Sequence, residues 1–194
     1  MKVVYIHGAS ATSDSFNYIR EHVARDELII DYDSANGFLN NLEIMKDTLK
    51  DHKEIFFVAH SLGGIYALHL ANCFPQQIKG AVTISTPYGG SKAADYVKFF
   101  LPFSRLLRDI GPSSIPMRLA NKIEIKCPWT NIVTTQGSSP FIIEPNDGVV
   151  TLASMRHHSE DMELLELPIN HYEVVMSKTV VDIINSKISS VRNT

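Results

Sequence analysis

Cysteine is scarce in this sequence, and positive and negative charges nearly balance. The 194 residues include only Cys73 and Cys127, too few for a disulfide framework, so we interpret both as small buried hydrophobes. The net charge of −3 gives no reason to expect nucleic acid or an anionic membrane as a partner. Internal repeats and low-complexity linkers are also missing, so we expect a single domain spanning residues 1–194.

Long hydrophobic runs are missing as well. The longest apolar stretches are far too short to span a bilayer, so no integral membrane segment is expected. Residues 1–8 lack the apolar run and cleavage site of a signal peptide, which makes a cytoplasmic location the default expectation. The 44% of hydrophobic and 20% of charged residues are typical of a soluble globular protein.

Strand-like and helix-like runs alternate along the chain. This alternation predicts an α/β fold with about six mostly parallel strands and helices on both faces of the sheet. The predicted strands are 3–6, 28–30, 55–59, 78–84, one within 123–134, and 163–167. The predicted helices are 15–24, 39–49, 62–74 and 174–188.

The most informative motif is AHSLGG at residues 59–64, between an apolar strand and a helix. A serine on a tight strand-to-helix turn projects its hydroxyl above the edge of the sheet. Small residues two positions away on either side, here Ala59 and Gly63, let the strand and the helix pass close together. We therefore predict that Ser61 is a nucleophile rather than an ordinary helix N-cap.

A nucleophilic serine needs a histidine base to take its proton. Functional sites on parallel sheets form at the carboxyl ends of the strands, and His171 directly follows the last predicted strand. His157 and His158 precede that strand, and His69 falls inside a helix. We therefore predict His171 as the base.

An acid that orients the histidine should follow the fifth predicted strand. Asp147 lies there in a turn of sequence EPNDGVV, which could hold a carboxylate in place. Glu144 in the same turn is the alternative, and Glu160 and Asp161 are less well placed.

An oxyanion hole requires two backbone N–H donors. Leu62, next to the serine, and Ala9, in the loop after the first strand, are the candidates. We interpret His7, in the same loop, as a buried hydrogen-bonded histidine. Neither a metal nor a cofactor is predicted, because the adjacent His157 and His158 point in different directions and favour a solvated loop.

Taken together, these motifs resemble the α/β-hydrolase superfamily, in particular its small lipase and esterase branch. The resemblance depends on IHG at 6–8, AHSLGG at 59–64, and DGVV at 147–150 followed by His171. The segment STPYGGS at 85–91 is also similar to lipase-like members. The resemblance implies a minimal α/β-hydrolase fold with Ser61, Asp147 and His171 as the triad and with Ala9 and Leu62 at the oxyanion hole.

The expected activity is hydrolysis of small-molecule carboxylic esters through an acyl-enzyme, without a cofactor. A thioesterase or a lysophospholipase would use the same machinery. A non-catalytic ligand-binding protein on the same fold is a different class, and the complete set of candidate triad residues argues against it. The sequence leaves the acyl length and the oligomeric state open.

A longer segment, roughly residues 88–121, separates the fourth and fifth predicted strands. It is too long and too apolar for a simple loop, so we interpret it as a lid-like insertion. Phe99, Phe100 and Phe103 are its candidate substrate-binding residues, as a wall for the acyl chain. Packing of these rings on the core is an alternative that the sequence leaves open.

Overall fold

The computed structural model describes residues 1–90, 109, 111–140, 142–158 and 160–192. In these residues six strands form one sheet, in the order β2-β1-β3-β4-β5-β6, and every neighbouring pair is parallel. The strands are β1 (Lys2–Ile6), β2 (Glu27–Ile30), β3 (Ile55–His60), β4 (Ile78–Ile84), β5 (Trp129–Thr134) and β6 (Glu163–Leu167). The predicted six-stranded parallel sheet is confirmed.

Helices cover both faces of this sheet. The α-helices of the described residues are α1 (Asn17–Val23), α2 (Phe38–Leu49), α3 (Leu62–Cys73), α4 (Ile115–Ala120), α5 (Leu152–Met155) and α6 (Lys178–Arg192). Helices α2, α3 and α4 contribute to one hydrophobic cluster, and α1 and α6 contribute to a second one on the opposite face. None of the helices in the described part of the chain is long and apolar enough to cross a membrane.

Strand β3 lies in the middle of the sheet, and this position explains its apolar composition. All six of its residues are buried. Phe57 and Ala59 pack in the cluster with α3, whereas Phe56 and Val58 pack in the cluster with α1 and α6. A central parallel strand is buried on both faces, so it is apolar throughout instead of alternating with polar residues.

The fifth strand, predicted within 123–134, is Trp129–Thr134 and begins directly after Pro128, which has no N–H to donate to a sheet. Two predicted helix boundaries were wrong. The first predicted helix is divided into a 3-10 turn, Ser13–Phe16, and α1. The closing helix likewise begins at Lys178, after a 3-10 turn, Glu173–Met176, because Ser177 is extended.

Helix α3 begins in direct contact with the end of β1. A Cβ atom at Gly63 would lie 2.1 Å from the carbonyl oxygen of Ile6 and 2.7 Å from that of His7. The small residue at position 63 therefore lets the helix approach β1, the neighbour of the strand that precedes it. This contact brings the start of α3 beside the loop that follows β1.

Gly63→Ala should destabilise the protein, although alanine ordinarily favours a helix over glycine by about 1 kcal/mol. The new methyl group would overlap two backbone carbonyls, and overpacking of this kind costs roughly 1–3 kcal/mol or more. Denaturant titration measures the change in the free energy of unfolding. Asn72→Ala, on the exposed face of the same helix, is the matched control and should be neutral or slightly stabilising. A Gly63→Ala variant as stable as the wild type would contradict the close approach.

Candidate active site

Ser61 connects β3 to α3 in a strained backbone conformation. Its φ is 52° and its ψ is −122°, a region that non-glycine residues rarely adopt. The backbone N–H of Ser61 donates to the carbonyl of Ile84 at 2.8 Å, which holds the turn against β4. Strain of this kind costs on the order of 1–3 kcal/mol and is concentrated at functional sites.

His171 and Asp147 form a buried hydrogen-bonded pair. The distance from His171 Nδ1 to Asp147 Oδ2 is 2.7 Å, and the two side chains are 4% and 0% exposed. The backbone N–H of His171 also donates to the carbonyl of Asp147 at 3.1 Å. Since an ionised carboxylate only accepts, Nδ1 carries the proton of the neutral ring, and Nε2 keeps a free lone pair.

The Asp147 carboxylate accepts hydrogen bonds from several sides. Oδ1 accepts from the N–H groups of Val149 at 3.0 Å and Val150 at 2.7 Å, and Oδ2 accepts from the hydroxyl of Thr134 at 2.5 Å. Burial acts to raise the pKa of Asp147, but the hydrogen bonds from His171, Thr134 and Val150 outweigh it and lower this pKa below its usual value. The exposed Glu144 lies in the same loop.

The loop after β1 passes close to Ser61. A Cβ atom at Gly8 would lie 3.2 Å from Cβ of Ser61. Within the described residues, neither the N–H of Ala9 nor that of Leu62 donates to a protein acceptor. Leu62 is the first residue of α3, where helix geometry leaves the N–H groups unpaired. These two donors are therefore available to a ligand.

His7 is buried and hydrogen-bonded, as predicted. Its ring stacks on Tyr32 with the centroids 4.3 Å apart. The backbone N–H of Tyr32 donates to His7 Nε2 at 3.2 Å, so Nδ1 carries the proton and donates to the carbonyl of Gly8 at 2.8 Å. The histidine thus fixes the backbone of the loop that contains Ala9.

His60 connects the serine turn to the histidine loop, a role that the sequence analysis missed. Its Nε2 donates to the backbone carbonyl of His171 at 3.0 Å, and the two rings are 4.7 Å apart. Burial, with a smaller contribution from the neighbouring His171, lowers the pKa of His60 to about 3. His60 is therefore neutral at physiological pH.

The remaining link, between Ser61 and His171, is open. Among the described residues, no hydrogen bond joins the Ser61 hydroxyl to the His171 ring. Such bonds are often long in unliganded enzymes and shorten when substrate binds. The described residues also contain no group of three or more histidine, cysteine or acidic side chains able to hold a metal ion.

The three predicted substrate-binding residues, Phe99, Phe100 and Phe103, lie outside the described residues. Most of the predicted insertion lies there too, and its described part includes α4. Met117 and Ala120 of that helix pack in the core beside α3. The interpretation of the insertion as a lid therefore stays a prediction.

The fold and the serine turn are those of an α/β hydrolase. The sequence model of the alpha/beta hydrolase family matches residues 3–136, which is most of the chain, so the protein belongs to this family. No curated protein matches the chain by sequence.

Solved structures similar to this chain include enzymes with different reactions. A lipase from Bacillus licheniformis, BlEst2, is 14% identical, with a TM-score of 0.71 over 96% of this chain and 91% of that one. A monoacylglycerol lipase from Paleococcus ferrophilus is 16% identical, with a TM-score of 0.67 over 100% and 95%. A haloalkane dehalogenase loop variant from Bradyrhizobium elkanii is 12% identical, with a TM-score of 0.72 over 99% and 90%. Identities this low show the fold alone, so the reaction has to be argued from the residues.

Stability should fall in acid partly because of His60. Its pKa in the folded protein lies below the usual value of about 6.5, so the unfolded chain takes up a proton first as the pH falls. This contribution is present above about pH 6.5 and is lost progressively towards about pH 3. The titratable groups that face His60 are His171, Asp147 and His7.

His60→Gln keeps a donor for the His171 carbonyl but cannot titrate. This variant should therefore lose less stability than the wild type between about pH 7 and about pH 4, measured by urea unfolding across that range. His22→Gln, at an exposed position on α1, is the control and should keep the wild-type slope. Identical slopes for His60→Gln and the wild type would show that His60 does not supply this acid sensitivity.

Proposed function

We propose that the protein is a serine hydrolase that cleaves carboxylic esters. Ser61 is the nucleophile, His171 the general base, and Asp147 the acid that orients the base. The observation that carries the proposal is the buried 2.7 Å hydrogen bond between Asp147 and His171, at the sheet edge where the strained turn presents Ser61. This pair leaves Nε2 of the histidine free to accept a proton, as a serine nucleophile requires.

The first half of the reaction transfers the acyl group to the protein. Ser61 Oγ attacks the ester carbonyl while its proton moves to His171 Nε2. The resulting imidazolium is stabilised by Asp147, which does not itself take the proton. The tetrahedral oxyanion accepts hydrogen bonds from the N–H groups of Ala9 and Leu62. The bond to the alcohol oxygen then breaks, and the alcohol takes the proton from Nε2.

The second half of the reaction returns the enzyme to its starting state. Water donates a proton to His171 Nε2 and adds to the acyl-enzyme carbonyl, and the same two N–H groups hold the oxyanion. Collapse releases the carboxylic acid and returns the proton to Ser61. Every group used in this half has already acted in the first, so no cofactor is needed.

Acyl transfer fits these residues better than ligand binding without reaction. The strain at Ser61 accompanies a buried Asp147–His171 pair, and strain of this kind is concentrated at active sites. The lipase and the monoacylglycerol lipase among the similar structures support an ester substrate. As part of the proposal, Phe99, Phe100 and Phe103 offer apolar surface to the acyl chain.

Ser61→Ala should reduce ester turnover on the order of 10⁴-fold or more, because only the nucleophilic hydroxyl is removed. Turnover of p-nitrophenyl esters with acyl chains of increasing length measures the loss. Intact mass after treatment with a fluorophosphonate probe should show one adduct on the wild type and none on the variant. Ser189→Ala, on the exposed face of α6, should behave as the wild type. A folded Ser61→Ala protein that still hydrolyses esters would remove Ser61 from this role.

Asp147→Asn should preserve the shape of the site but favour the wrong tautomer of His171 and lose stabilisation of the imidazolium. A loss in kcat on the order of 10⁴-fold is expected from this mechanism. Glu144→Gln, in the same loop, is the matched control and should keep nearly full activity, because Glu144 is exposed. Greater damage from Glu144→Gln than from Asp147→Asn would mean that Glu144 is the acid.

A further inference from the structure

Two buried hydroxyl groups extend the hydrogen-bond chain beyond Asp147. Thr134 is the last residue of β5, and its hydroxyl lies 2.5 Å from Oδ2 of Asp147. Ser85 directly follows β4, and its hydroxyl lies 2.8 Å from that of Thr134. Both residues are fully buried. The chain therefore runs from Ser85 through Thr134 and Asp147 to His171.

The direction of these hydrogen bonds follows from the number of protons. The ionised Asp147 only accepts, so the single hydroxyl proton of Thr134 points to Oδ2. The Thr134 oxygen must then accept the proton of Ser85. Met155 Sδ, 3.5 Å from the Thr134 oxygen, is too weak an acceptor to compete with a carboxylate.

The backbone of Ser85 has the same positive φ as that of Ser61. Both residues have a φ of 52°, and they directly follow the adjacent strands β4 and β3. The N–H of Ser85 donates to the carbonyl of Ile132 on β5 at 2.9 Å, which fixes the hydroxyl over that strand. Glycine would adopt this backbone without strain but would carry no hydroxyl.

We propose that Ser85 and Thr134 are positioning residues that hold the Asp147 carboxylate in the orientation in which it accepts from His171. This inference rests on the proposed function and deepens it. Thr134 donates to the same oxygen, Oδ2, that accepts from His171, so it fixes the rotation of the carboxylate about its own axis. Ser85 occupies a lone pair of Thr134 and thereby keeps the threonine proton directed at Asp147.

Thr134→Val tests the first step because it removes the hydroxyl at nearly constant volume. We expect kcat to fall roughly ten- to hundredfold, as for loss of a hydrogen bond to a charged group, with KM unchanged. Oδ2 becomes more basic without this donor and stabilises the imidazolium more, so the acidic limb of the kcat/KM profile should move to higher pH. The other titratable groups near the pair are His60, Tyr172, whose ring centroid lies 5.5 Å from that of His171, and, beyond His60, His7. Thr134→Ser should restore the wild-type profile.

Thr130→Val is the matched control. Thr130 is also buried on β5, but its hydroxyl donates to Glu163 at 2.9 Å. Its removal should leave kcat and the acidic limb unchanged. An effect of Thr130→Val as large as that of Thr134→Val would mean that any lost hydroxyl on β5 disturbs the site, which would overturn the positioning role.

Ser85→Ala and Ser85→Gly separate the hydroxyl from the backbone strain. Both variants lose the hydroxyl, and only the glycine variant also loses the strain. We expect equal, severalfold losses in kcat despite different stabilities. In the Thr134→Val background neither change should reduce kcat further, because Ser85 acts only through Thr134. A Ser85→Gly variant with wild-type kcat, or losses that add in the double variant, would overturn the role of Ser85.

Two measurements separate this inference from the proposed function. The rate of fluorophosphonate labelling at Ser61 needs no natural substrate, and the low-field proton NMR resonance of His171 Nδ1–H needs no reaction. A wild type that is not labelled contradicts the proposed function, while a resonance that moves in Thr134→Val but not in Thr130→Val still supports the hydrogen-bond chain. If the wild type is labelled, and Thr134→Val shows the same labelling rate and the same resonance as the wild type, the positioning role is overturned. The proposed function stands in that case.

Discussion

The arrangement of the site depends on the contact between Gly63 and the end of β1. Because position 63 carries no Cβ atom, α3 can begin directly beside that strand, where a side chain would overlap the carbonyl of Ile6. Ser61 is the single residue between β3 and α3, and it takes a positive φ there. The same contact brings the N–H of Leu62 near the loop that contains Ala9. The strain is balanced by the packing of α3, which is buried continuously from its first residue to Leu70.

The second requirement is to keep a charge inside the protein. A buried carboxylate is unfavourable unless donors replace the water that it loses, and Asp147 has such donors in its own turn. Gly148, with a φ of 102°, reverses the chain so that the N–H groups of Val149 and Val150 point back at Oδ1. Oδ2 is thereby left to Thr134 and His171. A sequence typical of a surface turn therefore serves to hold a carboxylate beneath the surface.

The sequence predicts the sheet, and the sheet edge on which the candidate residues lie, better than the contacts around them. Strand β3 was found from its continuous apolar run, and the proximity of Ser61, Asp147 and His171 to one sheet edge follows from chain order alone. The bond between His60 and the carbonyl of His171 joins residues 111 positions apart, and no local pattern reveals it. The link from Ser85 to Thr134 is similar, since it requires knowledge of which strand ends are neighbours. Boundaries failed where the backbone conformation of one residue decides, as at Ser177, which is extended and delays the start of α6 to Lys178.

The fold does not determine the reaction, since lipases and a dehalogenase have a fold similar to that of this chain. The proposal therefore depends on the residues of the site, among them those that surround the candidate base His171. His60 is uncharged because burial lowers its pKa to about 3, so its ring can lie 4.7 Å from that of His171 without opposing a positive charge there. If His60 were protonated, its charge would oppose the imidazolium that the proposed mechanism forms at His171. The burial that makes His60 costly in acid therefore leaves the Asp147 carboxylate as the charged partner of the histidine that we propose as the base.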